Sequence, residues 1–107
     1  MNYSVELTDN FKKEAKRLVK KYKSLKAEIS ALVIELETSP TMGIALGNDI
    51  YKIRLAVKSK GKGKSGGVRI MSYVKITDTE VLLFSIFNKG DQDSISDKEI
   101  KALLKEI

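Results

Sequence analysis

The apolar positions change period several times along this chain, and each change predicts an element. Residues 3–7 (YSVEL) alternate apolar and polar, as a short half-buried strand does. Thr8 or Asp9 can then cap a helix whose apolar side is Phe11, Ala15, Leu18, Val19 and Tyr22, positions that trace one helix face. The same spacing returns in Leu25, Ile29, Leu32, Val33 and Leu36, with Ser24 available as a second cap. Residues 9–37 therefore read as two helices joined by a tight break, an αα-hairpin. Pro40, Gly43 and Gly47 mark an irregular connection after it.

From Ile50 the period becomes two. Tyr51, Ile53, Leu55 and Val57 share one side of a strand, while Lys52, Arg54 and Lys58 share the other with Ala56. KSKGKGKSGG, residues 58–67, is a glycine-rich basic loop. The strand after it, residues 68–76, sets Arg69, Met71 and Tyr73 against Val68, Ile70 and Val74. VLLFSIFNK, residues 81–89, is apolar on both sides and reads as a central strand. Ser96 and Glu99 stand in the capping-box arrangement before a closing helix through Ile100, Leu103, Leu104 and Ile107. The predicted order is β-α-α-β-β-β-α in an α+β fold. The sheet should be small and mostly antiparallel, with helices on its apolar side and Lys52, Arg54 and Arg69 on an open basic side.

With 107 residues the chain is sized for one domain, expected to span residues 1–107. No apolar run is long enough to cross a bilayer, and MNYSVELTDN carries acids where a signal peptide carries positive charge, so a cytoplasmic protein without membrane contact is expected. The absence of cysteine and histidine excludes disulfides, thiol nucleophiles, imidazole bases and the usual zinc sites. No metal or cofactor is expected.

Charge alters the picture further. The net +6 is unevenly divided: residues 10–27 carry eight Lys/Arg against Glu14, residues 50–77 carry eight and no acid, and the remainder is acidic. Segregation of this kind points to an anionic partner, and closely spaced phosphates are the first candidate. GKGKSGG is not a phosphate-binding P-loop, because Lys58 stands where the motif needs glycine and a strand follows in place of a helix. The stretch from Asp91 is not a calcium loop either, since Ser96 and Ala102 occupy the positions that require Gly and Glu.

The ordered combination of a short strand, an αα-hairpin with Phe11 near its start, YKIRLAVKSKGKGKSGGVRIMSYV and VLLFSIFNKGDQDSISDKEIKALL resembles the RelE/ParE superfamily of toxins from bacterial toxin–antitoxin pairs. It is most similar to the HigB-type branch, through Lys64-Ser65-Gly66-Gly67-Val68-Arg69 and the later Phe87-Asn88-Lys89. The resemblance implies a RelE-like fold and a ribosome-dependent endoribonuclease that cuts messenger RNA, held inactive by a cognate antitoxin, expected to be of the helix-turn-helix type. It further implies catalytic roles for Arg54, Lys64, Arg69 and Lys89, with Lys52, Lys58, Lys60, Lys62 and Tyr73 binding RNA. No tyrosine follows Tyr73, so the C-terminal tyrosine associated with RelE has no counterpart here.

These residue types suit one reaction. The RNA 2′-hydroxyl attacks the adjacent phosphorus, a 2′,3′-cyclic phosphate forms, and the bond to the 5′-oxygen breaks. The protein must align the strand and stabilise charge on the phosphoryl oxygens, for which guanidinium groups are suited. Without histidine the base and acid fall to lysines; Lys52, Lys64 and Lys89 are the candidates, since crowding by like charge favours a neutral amine. Two other readings share these residues: a ParE-like inhibitor of DNA gyrase, and a nonenzymatic RNA- or ribosome-binding module.

Overall fold

A computed structural model describes residues 2–61, 63–92 and 94–105; Lys62 and the Lys64 side chain lie outside the described set. The order is β1 (Ser4–Leu7), α1 (Asp9–Lys21), α2 (Leu25–Thr38), β2 (Ile44–Gly47), β3 (Ile50–Leu55), β4 (Val68–Lys75), β5 (Glu80–Asn88) and α3 (Asp97–Lys105). The strands form one sheet in the order β1-β5-β4-β3-β2. All neighbours are antiparallel except β1 and β5, the first and last strands in the chain, which run parallel. The α+β class and mostly antiparallel sheet agree with the periodicity.

One strand is additional. Residues 44–47, read from sequence as irregular connection, pair with β3 through a two-residue turn at Asn48 and Asp49, both with positive φ (54° and 63°). That is the backbone pattern of a type I′ hairpin turn, whose twist matches the flanking strands. Glycines at 43 and 47 concealed so short an element.

The sheet has two covered sides. On one, α1 and α2 bury Phe11, Leu25, Leu32 and Leu36 against Ile53, Val68, Ile70, Val74, Val81, Leu83 and Ile86. On the other, Ile100 of α3 packs with Ile50, Met71, Phe84 and Phe87, and Tyr73, Leu103 and Leu104 pack around them. Burial on both sides explains the unbroken apolar run of β5. A bulge adjusts it: Met71 pairs with Ser85 but Ser72 with Leu83, leaving Phe84 as the extra residue. Alternation sends Phe84 to the α3 side, and the shift lets Ile86, three residues after Leu83, return with it to the hairpin side.

Local chemistry fixes the helix ends. Thr8 is the α1 cap, its Oγ1 accepting from Phe11 N at 3.1 Å. Ser96 accepts from Glu99 N at 3.2 Å, as the capping box predicts. Ser24 holds the N-cap position of α2, its carbonyl accepting from Glu28 N at 3.2 Å, but its hydroxyl makes no capping bond and donates to Glu28 Oε1 instead. Past Leu7, where β1 ends, side chains from α1 replace it along β5: Asn10 Nδ2 donates to Phe84 O (2.9 Å) and Glu14 Oε1 accepts from Ile86 N (3.2 Å). An otherwise unpaired strand edge is satisfied in this way.

Candidate nucleic-acid interface

Strand register decides which cations meet. Arg54 of β3 lies directly opposite Arg69 of β4, and Arg69 is opposite Phe87 of β5; Lys52 faces Met71 one row further, and Ile50 faces Tyr73 beyond that. Two arginines as direct cross-strand partners repel each other, an arrangement an anion would relieve. Lys89 follows immediately after β5, and its backbone N donates to Gly67 O at 3.2 Å, which brings it to the same end of the sheet.

The expected open basic side is not open. α3 covers its Ile50–Tyr73 end, and the segment at 64–66 folds over the other end. Arg54 is exposed, Lys52 half-buried, and Arg69 only 2% exposed. The Arg69 guanidinium donates to Val68 O at 3.3 Å and to Ser65 O at 3.4 Å, so it anchors the loop that covers it. On the open side expected from sequence, Arg69→Ala would cost folding little; burial of the whole side chain reverses that. Tyr73 lies four residues along β4 from Arg69, about 13 Å at the usual strand rise. It lines a groove of about 590 Å³ between the β2–β3 turn and α3, together with Leu46, Lys75, Asp97 and Lys101.

The loop lysines do not share one direction. Residues 58–60 form a 3₁₀ turn docked on the start of α2: Lys58 N donates to Glu28 Oε2 (2.8 Å), Ser59 N to Ser24 Oγ (3.0 Å), and Ser24 N to Ser59 Oγ (3.3 Å). The Lys58 side chain is exposed. Lys60 turns inward, its ammonium donating to Asn88 Oδ1 and to Gly67 O (3.3 Å) and standing 5.2 Å from the Tyr22 ring centre. Lys62 and the Lys64 side chain, both named from sequence, lie outside the described residues. Gly67 closes the loop where only glycine fits, since a Cβ there would stand 2.0 Å from Leu55 O.

The structure therefore groups Arg54, Arg69 and the backbone of Lys89 at one end of the sheet, sends Lys60 toward the αα-hairpin, and leaves Tyr73 under α3. Sequence reasoning missed Tyr22, Ser24, Glu28 and Asn88, which hold the loop. Each is unremarkable in its local pattern, and its partners are distant in the chain. Among the described residues no cluster of acidic side chains could hold a metal ion, and no helix is long and apolar enough to cross a membrane.

Comparison with known proteins decides the family. Residues 5–107 match the family model described as RelE toxin of RelE / RelB toxin-antitoxin system. The chain belongs to the RelE toxin family. It is thus a toxin of a toxin–antitoxin system. The fold agrees: the isolated E. coli RelE toxin aligns over 98% of this chain and 99% of its own, with a TM-score of 0.61 and 18% identity. A free E. coli RelE carrying two arginine-to-alanine substitutions aligns over 87% and 90%, with a TM-score of 0.64 and 19% identity. The intact E. coli RelBE toxin–antitoxin complex matches with a TM-score of 0.60 and 19% identity over 80% of this chain and 95% of that one. No curated protein matches the chain.

Proposed function

We propose that this RelE-family toxin is a ribosome-dependent messenger RNA endoribonuclease of the HigB-type branch, acting in the cytoplasm as one domain over residues 1–107. The observation that carries the reading is the direct pairing of Arg54 with Arg69 on adjacent strands, two permanent cations on a rigid support. A scissile phosphate met by the exposed Arg54 would have its developing charge stabilised there. Arg69 sets the floor of the site and holds the loop over it. Lys64 and Lys89, the lysines that the resemblance marks as catalytic, are the candidates to take the 2′-hydroxyl proton and to protonate the departing 5′-oxygen. Lys52 and Lys58 would extend the contact along the RNA backbone, with Lys62 on the same loop; Tyr73, packed under α3, has no part in it. The reaction uses the RNA's own hydroxyl as nucleophile and requires neither metal nor other cofactor.

The partner that restrains it is a cognate antitoxin, as RelB accompanies RelE in the E. coli complex; the Lys-x-Gly-Gly-x-Arg run supports a helix-turn-helix antitoxin of the HigB kind. The test is primer-extension mapping of messenger RNA in a translating extract to which purified toxin and a chelator are added. Cuts that need ribosomes, survive the chelator and vanish with Arg54→Ala support the reading. Intact message would sink it, and loss of gyrase supercoiling in a parallel assay would transfer the chain to the gyrase-inhibitor class.

A further inference from the structure

The loop between β3 and β4 carries four lysines, and their sequence spacing treats them as equivalent. The surroundings of Lys58 and Lys60 do not. Lys60 is half-buried, and its ammonium is taken up on three sides: Asn88 Oδ1 and Gly67 O accept from it, and the Tyr22 ring lies within cation–π range at 5.2 Å. Asn88, 7% exposed at the end of β5, uses both ends of its amide: Oδ1 also accepts from Gly90 N (3.3 Å), and Nδ2 donates to Tyr22 OH (3.0 Å). A closed circuit thus runs from the C-terminus of α1 through β5 to the loop and back. The carbonyl it reaches, Gly67 O, also accepts from Lys89 N, so the circuit touches the backbone of both segments that flank the proposed site.

A second contact secures the same loop two residues earlier. Ser24 and Ser59 exchange backbone-to-hydroxyl bonds in both directions, and Glu28 accepts from Lys58 N and from the Ser24 hydroxyl. We infer that Tyr22 and Asn88 are positioning residues that lock Lys60 as a pin, so that the αα-hairpin sets the shape of the basic loop and Lys58, beside the pin, is left to meet a phosphate. The division between pin and phosphate contact rests on the RNA-cleavage reading; the pin itself does not.

Two measurements on the full chain separate these parts. Hydrogen exchange without RNA should show the amides of Lys60, Gly61 and Lys89 opening about tenfold faster in Asn88→Leu, the loss expected when a charge-assisted bond goes. Tyr22→Phe keeps the ring for Lys60 and loses only the phenol oxygen, so a smaller acceleration is expected. Asn88→Asp keeps the acceptor and should restore protection, which a role in packing alone would not give. The salt dependence of RNA binding then tells pin from contact. Lys58→Ala should flatten the slope of log K against log salt by roughly 0.7, the value for one phosphate on a single strand, whereas Lys60→Met should leave it unchanged. Unaltered exchange in Asn88→Leu would overturn the pin, and a slope loss in Lys60→Met equal to that in Lys58→Ala would return Lys60 to the RNA-contact set. If the wild-type protein bound neither RNA nor ribosomes, the RNA-cleavage reading would fail while the exchange data still decided whether the pin exists.

Discussion

Replacing Gly67 by alanine perturbs the point where the basic loop enters β4. The added Cβ would fall 2.0 Å from Leu55 O and 3.0 Å from Leu55 C, more than an ångström inside ordinary contact with the first. Both are backbone atoms of β3, so no side chain can swing away. The first rung of the β3–β4 ladder, Leu55 against Val68, must part, or the residue must rotate its carbonyl. Either movement withdraws Gly67 O from Lys89 N (3.2 Å) and from the Lys60 ammonium (3.3 Å). One neutral and one charge-assisted bond, together with the strain of an overfilled site, make a loss of about 3 kcal/mol. For a domain of this size that lowers the melting midpoint by roughly 10–20 °C. Gly61→Ala is the comparison: its φ is +71° but nothing lies within 4 Å of the added carbon. It should cost only about 1 kcal/mol, the price of a left-handed alanine. Urea denaturation followed by circular dichroism measures both. Equal stabilities of the two variants, or a Gly67→Ala protein within about 0.5 kcal/mol of wild type, would refute the close-approach argument.

Arg69→Ala should destabilise the fold by about 2–4 kcal/mol, because a buried stem is lost together with one bond to the loop carbonyl of Ser65 and one to Val68 O at the start of β4. Arg54→Ala, at an exposed side chain, should shift urea stability by less than about 0.5 kcal/mol while abolishing cleavage in the translating extract. Glu14→Leu removes the acceptor of Ile86 N and of the Ser85 and Asn10 side chains, so a loss of about 2 kcal/mol and faster exchange at Ile86 are expected. Asp49→Gly relieves a positive φ in the β2–β3 turn and should raise the urea midpoint slightly, by the equivalent of about 0.5 kcal/mol; a lower midpoint would contradict the type I′ reading.

Helices and strand sides were legible in the chain because they follow from neighbours only a few positions apart. A spacing of three and four puts Phe11, Leu18 and Tyr22 on one stripe whatever surrounds them, and alternation puts Lys52 and Arg54 on one side of β3. The two-sided apolar character of β5 likewise announced that both of its sides are covered, although β4 and not β5 holds the middle of the sheet. The short strand β2 was not legible, because Gly43 stands just before it and Gly47 ends it, and its pairing comes from a turn that Asn and Asp adopt only in context.

Tertiary structure alone decided what each cation does. Arg54 and Arg69 carry the same charge on the same side of the sheet, yet one is exposed and the other 2% exposed, since the 64–66 segment folds over only the second. Lys58 and Lys60 are two positions apart in a run that reads as uniform, and one points to solvent while the other is bound to Asn88. The difference lies in partners supplied by α1 and β5, far along the chain, which no local period encodes. Solvation and hydrogen bonding depend on the whole packed surroundings of a group, whereas helix and strand periodicity depends on the backbone beneath it.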